Sequence, residues 1–128
     1  MNEIVMKSHT GISKIVELTP ATIAATFTSL AKAIEEKAGE IEALDAEATR
    51  QRVKYKQAYA QWFLTTQGAN DVRRYTAEAA TSDLLLNFEI AEQILRAARE
   101  QMKVLRDRLE IGRSMSAVMR MEWSNGNF

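Results

Sequence analysis

Large apolar residues recur along most of this chain in steps of three and four, the spacing that gathers side chains on one side of an α-helix. Ile23, Phe27, Leu30, Ile34, Ile41 and Leu44 follow it in the first half, and Phe88, Leu95, Met102 and Leu109 in the second. The alternation is that of a heptad seam. Lys37 and Gln51 interrupt it with polar ends whose stems can still lie along apolar surface. The pattern predicts helix one over about 20–66 and helix two over about 72–111. Thr19-Pro20 supplies the start, because Thr is a favoured N-cap and Pro fits a first helical position, where its missing N–H costs nothing. Gln67-Gly68-Ala69-Asn70-Asp71 supplies the reversal, turn 67–71, with Gly68 able to go left-handed and Asn70 or Asp71 able to cap. Gly39 predicts a slight bend in helix one. Gly112, followed by Ser114 and Ser116, predicts a break, with a short C-terminal helix over about 114–123.

Pairing the two helices antiparallel about Gly68 places Phe27 opposite Leu109, Ile34 opposite Met102, Ile41 opposite Leu95 and small Ala48 opposite bulky Phe88. The same register sets Glu35, Glu36 and Glu40 beside Arg96, Arg99 and Lys103. The expected fold is therefore all-α: a long antiparallel, coiled-coil-like hairpin over 20–123, preceded by an arm at 1–19. That arm mixes Ile4, Met6, Ile12, Ile15, Val16 and Leu18 with Ser8, His9, Thr10 and Gly11. It reads as irregular, with one short strand or helical turn, laid against the hairpin.

Helix two carries a second apolar stripe. Ile90, Ile94, Ala97, Val104, Ile111, Met115 and Val118 repeat the three-and-four spacing, with Gln101 and Arg108 as polar interruptions. A lone hairpin leaves this stripe in water, and contiguous apolar surface of that extent marks an interface. Two covers are open: the arm, giving a monomeric bundle, or a second copy, giving a homo-oligomeric helix bundle that begins with a four-helix dimer. An 18-residue arm is short for the length of the stripe, which favours the second copy.

Composition narrows the chemistry. The 128 residues are 46% hydrophobic with one proline and five glycines, which fits one helical domain. The 17 basic and 17 acidic residues cancel, so the whole molecule is no basic nucleic-acid binder, and little net charge keeps copies apart. Without cysteine there is neither a disulfide nor a thiolate metal site. No apolar run reaches a membrane span and the first residues lack a secretion-signal layout, so the expectation is a cytoplasmic protein that does not engage membranes. His9 has no carboxylate at helical spacing, no Gly-x-Ser-x-Gly or phosphate loop occurs, and the acidic cluster lacks the Glu-x-x-His of di-metal bundles. These features predict a protein that is not an enzyme and holds no metal or cofactor.

One constellation near the turn invites a binding role. Tyr55, Tyr59 and Trp62 fall at i, i+4 and i+7, with Phe63 beside them and Tyr75 across the turn. Arg50, Arg52, Lys54, Lys56, Arg73 and Arg74 surround them. Aromatic faces among cations stack bases and neutralise phosphates. The same rings serve equally as a core where two helices need bulk, with Asp83 and Glu78 partnering Lys54 and Lys56. A second basic run, Arg96, Arg99, Lys103, Arg106, Arg108 and Arg113, is only partly matched by acids; in an oligomer it would ring an anionic pocket or face another copy.

The run Tyr55-Lys56-Gln57-Ala58-Tyr59-Ala60, the turn Gly68 to Val72, and Leu109-Glu110-Ile111-Gly112-Arg113-Ser114 resemble, in style, small helical accessory proteins of tailed bacteriophages. That resemblance implies an infected bacterium as the setting and a non-enzymatic role; it carries no binding residue over. The leading expectation is a homo-oligomeric helical protein that binds a host or phage protein, or a small anionic ligand, as counter-defence proteins do. The alternative is a single-stranded nucleic-acid-binding accessory of recombination or replication.

Overall fold

The computed structural model describes residues 7–8, 11–12 and 19–126. Apart from a two-residue antiparallel pairing of β1 (Lys7–Ser8) with β2 (Gly11–Ile12), its elements are helices: α1 (Pro20–Thr65), α2 (Asn70–Ala80) and α3 (Ser82–Ser124). The fold is all-α. Most of the expected arm, His9 included, lies outside the described residues.

α1 begins where Thr19-Pro20 predicts. The Thr22 N–H donates to Thr19 Oγ1 (3.2 Å) and the Thr19 N–H to Thr22 Oγ1 (2.9 Å). This is a reciprocal cap in which a threonine takes the place usually held by glutamate. Gly68, between α1 and α2, has φ +115°, in the left-handed region open to glycine. Capping of the next helix differs from expectation. α2 starts at Asn70 itself, behind an extended Ala69 that offers no side-chain cap, while Asp71 in the first turn complements the helix dipole.

The break in the second half is misplaced by the sequence reading. α3 runs through Gly112, Ser114 and Ser116 without interruption to Ser124, so no separate C-terminal helix exists. The interruption falls at Thr81, between α2 and α3, where the hydroxyl donates to the Ala77 carbonyl (2.6 Å). Thr81 is 1% exposed, so this bond satisfies a hydroxyl that burial would otherwise penalise. α1 continues through Gly39 as helix.

By contacts the chain divides into a central unit, Ile34–Leu105, and a terminal unit, Met1–Ala33 with Arg106–Phe128. In the central unit the buried apolar residues are Ala48, Ala77, Leu95, Ala98 and Met102. Their neighbours in the seam, among them Ile34, Ile41, Leu44, Tyr55, Leu84, Phe88, Ala91 and Leu105, are half-buried. In the terminal unit Ile23, Phe27, Leu30, Leu109, Gly112, Ser116 and Met119 are half-buried in the same alternation.

The expected register is offset. Lys37 sets Nζ 2.7 Å from Gln101 Oε1, and the Phe27 ring lies against Gly112, three residues beyond the Leu109 expected opposite it. The charge pairing also differs. Glu40 takes Lys37, and Lys103 takes Glu100, each on its own helix. Of the six ion pairs among the described residues, only Arg99–Asp45 (3.8 Å) joins α1 to α3; the other five are spaced i, i+3. Acid–base matching across helices therefore contributes little to holding the central unit together.

Candidate functional site: an uncovered stripe and an aromatic tip

The second stripe of α3 is exposed along its whole length. Ile90, Ile94, Val104, Ile111, Met115 and Val118 are each between 43% and 61% exposed, and Ala97 is exposed with them. The physical cause is geometric. These residues sit one place before the seam positions 91, 95, 98, 105, 112, 116 and 119, hence about 100° around the helix from the face that meets α1. Gln101, one of the two polar interruptions, is tied to Lys37, which turns its amide toward α1.

In each unit the stripe forms one wall of a cleft. In the central unit Ile90 and Ile94 stand opposite Leu44, Glu47 and Gln51 around about 240 Å³. In the terminal unit Arg108, Ile111 and Met115 stand opposite Ala25, Thr26 and Ser29 around about 610 Å³. Those three small α1 residues were missed by reasoning from large apolar positions alone. Their signal is shortness: side chains that leave room for something else.

Glu47 is positioned by its own helix. Gln51 Nε2 donates to Oε1 (2.8 Å) and Arg50 donates to Oε2 (2.9 Å). The Gln51 hydrogen bond first, and then the Arg50 bond, hold this carboxyl below its ordinary value. Glu47 thus remains an anion at the edge of the central cleft, while Arg108 places a cation in the terminal one.

The aromatic–basic tip divides in two. Tyr55, Tyr59 and Phe63 climb one side of α1, half-buried, with Tyr55–Tyr59 centroids 6.2 Å apart and tilted by 57°, and Tyr59–Phe63 6.4 Å apart and stacked. Such a ladder is core-like packing. Trp62 and Tyr75 are instead 48% and 63% exposed, and Leu64 and Val72 are exposed near the turn. Arg74 lies over the Tyr75 ring (5.1 Å) and reaches Asp71 (3.5 Å). Arg73 is half-buried, and its Nε has no hydrogen-bond partner. Arg52 and Lys54 are exposed. The pairing of Lys54 and Lys56 with Asp83 and Glu78 does not form.

Among the described residues no three acidic, His or Cys side chains gather as metal ligands, and no helix is long and apolar enough to cross a membrane. No family of known proteins matches the chain. No curated protein and no solved structure matches it either.

Proposed function

We propose that this protein is a non-enzymatic helical binding protein in which an antiparallel hairpin pairs with a second copy through the outer stripe of α3. One observation carries the reading: seven apolar residues at heptad spacing, from Ile90 to Val118, are exposed on a helix whose other seam is already covered. The antiparallel register that covers most of the stripe sets Ile94 against Ile111 and Ile90 against Met115, and lays Arg108 over small Ala97. The clefts beside the stripe then receive side chains of the partner copy.

Magnitudes decide what kind of assembly this is. Covering the exposed half of a large apolar side chain contributes about 1 kcal/mol. Two copies bring twelve such side chains, against an association cost of about 4–15 kcal/mol. At the lower end of that cost the margin reaches about 6–8 kcal/mol, a dissociation constant between about a micromolar and tens of micromolar, so the assembly responds to concentration. Light scattering of the full chain across a dilution series tests it. We expect a dimer or larger species at tens of micromolar, and a monomer when Ile94→Glu and Ile111→Glu are combined with helix content unchanged. A native chain that is monomeric throughout that range removes the reading.

The resemblance in style to phage accessory proteins makes the cytoplasm of an infected bacterium the setting we favour, with a host or phage protein or a small anionic ligand as the partner. A second reading rests on the tip. Trp62 and Tyr75 expose ring area, and Arg74 lies over the Tyr75 ring, which supports single-stranded nucleic-acid binding by stacking. Retention of a labelled oligonucleotide at low salt, lost on combined Arg73→Ala and Arg74→Ala substitution, distinguishes it.

A further inference from the structure

A different face of the terminal unit has its own unmatched chemistry. α1 and α3 enclose an open groove of about 450 Å³ there, lined by Ile23, Phe27, Met119 and Trp123, kept wide by Ala24, and bordered by Arg120. Arg106, Arg113 and Arg120 recur at intervals of seven on α3, so they share one face. Arg113 lies two residues beyond Ile111, about 200° around the helix, so this face remains outward when the stripe is covered.

Among the described residues the charges on this face find no carboxylate on α1. Arg113 pairs only with Glu110 of its own helix, with both side chains about two-thirds exposed; such a pair is weak and readily redirected. Arg106 and Arg120 make no ion pair among the described residues. Residues 20–33 of α1 hold one lysine and no carboxylate. Within residues 19–33 and 106–126 of this unit, Lys32, Arg106, Arg108, Arg113 and Arg120 therefore stand against Asp107, Glu110 and Glu122.

We propose that this groove docks an acidic amphipathic helix from a partner protein. Its apolar side chains lie between α1 and α3, and its carboxylates meet Arg113 and Arg120. Helix-in-groove recognition needs this pairing of an apolar trough with charge along one rim, and Met119 can reshape to fit differing anchors. The apolar surface is recessed between two helices, which suits an inserted side chain better than a lipid surface.

Selection from a display library of 16-residue helical peptides tests the proposal without assuming the partner. The native chain is the target and the combined Arg113→Glu, Arg120→Glu variant is the counter-target, with the helicity of both checked by circular dichroism. We expect enriched peptides with apolar residues at three-and-four spacing and an excess of Asp and Glu. Synthesised, the best of these should bind the variant at least tenfold more weakly, bind an Arg113→Gln, Arg120→Gln variant with intermediate affinity, and shift Trp123 emission to the blue in a Trp62→Phe background. The proposal is overturned if no peptide enriches, if enriched peptides lack acidic excess, or if they bind both proteins equally. Arginine-dependent binding to phosphatidylglycerol vesicles with no peptide selected overturns it in favour of a lipid.

Discussion

Phe27 is fitted against the absent side chain of Gly112: a methyl group there would lie 2.9 Å from Phe27 Cε1 and 3.5 Å from Cζ. A helical glycine normally costs about 1 kcal/mol relative to alanine. Here the close approach offsets that cost, because moving a half-buried ring out of place costs about 1–3 kcal/mol. We expect Gly112→Ala to lower stability by about 1 kcal/mol in urea denaturation. At Gly39 an added Cβ meets nothing within 4 Å, so Gly39→Ala should raise stability by about 1 kcal/mol. Equal effects of the two substitutions would show that Phe27 does not use the gap.

The core of the central unit is narrow, so single truncations there should be costly. Leu95 and Met102 are 5% and 7% exposed, and replacing either with alanine should cost about 2–5 kcal/mol. Leu64 is exposed beside the turn, and Leu64→Ala should stay within about 0.5 kcal/mol of the native protein. Thermal and urea unfolding followed by circular dichroism compare the three.

Thr81 interrupts the second helical segment while remaining buried, with its hydroxyl given to Ala77. Thr81→Val keeps the shape and removes the donor. The expected loss is about 1 kcal/mol, because the Ala77 carbonyl still accepts the Thr81 N–H. A loss several times larger would mean that the hydroxyl holds the α2–α3 joint in place.

Glu47 gives a pH-dependent signature. Its carboxyl titrates below the ordinary glutamate value because Gln51 and then Arg50 donate to it. A carboxyl depressed in the folded state adds stability that is present at neutral pH and lost as pH falls through that lowered midpoint. Gln51→Ala should move the Glu47 midpoint upward, toward an ordinary glutamate, in a carbon-detected NMR titration. An unchanged midpoint would contradict the assignment of Gln51 as the main cause.

The parts of the fold that depend on period or on local capping signals are legible in the sequence. Thr19-Pro20 opens α1, Gly68 takes a positive φ between α1 and α2, and the second stripe of α3 comes directly from its spacing. What failed depends on side-chain length and proximity. Lys37 is long enough to reach Gln101, so no matching of apolar pairs fixes the register. Residues three apart on one helix are nearer than any across the interface, so Glu40 and Lys103 found partners locally. Gly112 resembled a breaker because glycine is the usual one, whereas here it makes room for a ring. Thr81 carries neither glycine nor proline to announce an interruption. At the tip, sequence placed rings and cations together but gave no way to separate the half-buried Tyr55–Tyr59–Phe63 ladder from exposed Trp62 and Tyr75.

The chain contains no cysteine, so introduced thiols report on contacts between copies without background. The most direct measurement mixes an Ile94→Cys protein with an Ile111→Cys protein, oxidises the mixture, and resolves the disulfide-linked heterodimer by mass. Arg106→Cys and Arg113→Cys, on the opposite side of α3, serve as controls. Pairing through the outer stripe requires the first mixture to cross-link in high yield and the controls to remain single chains. Controls that link as readily, or an Ile94–Ile111 mixture that stays unlinked at concentrations where copies associate, would contradict it.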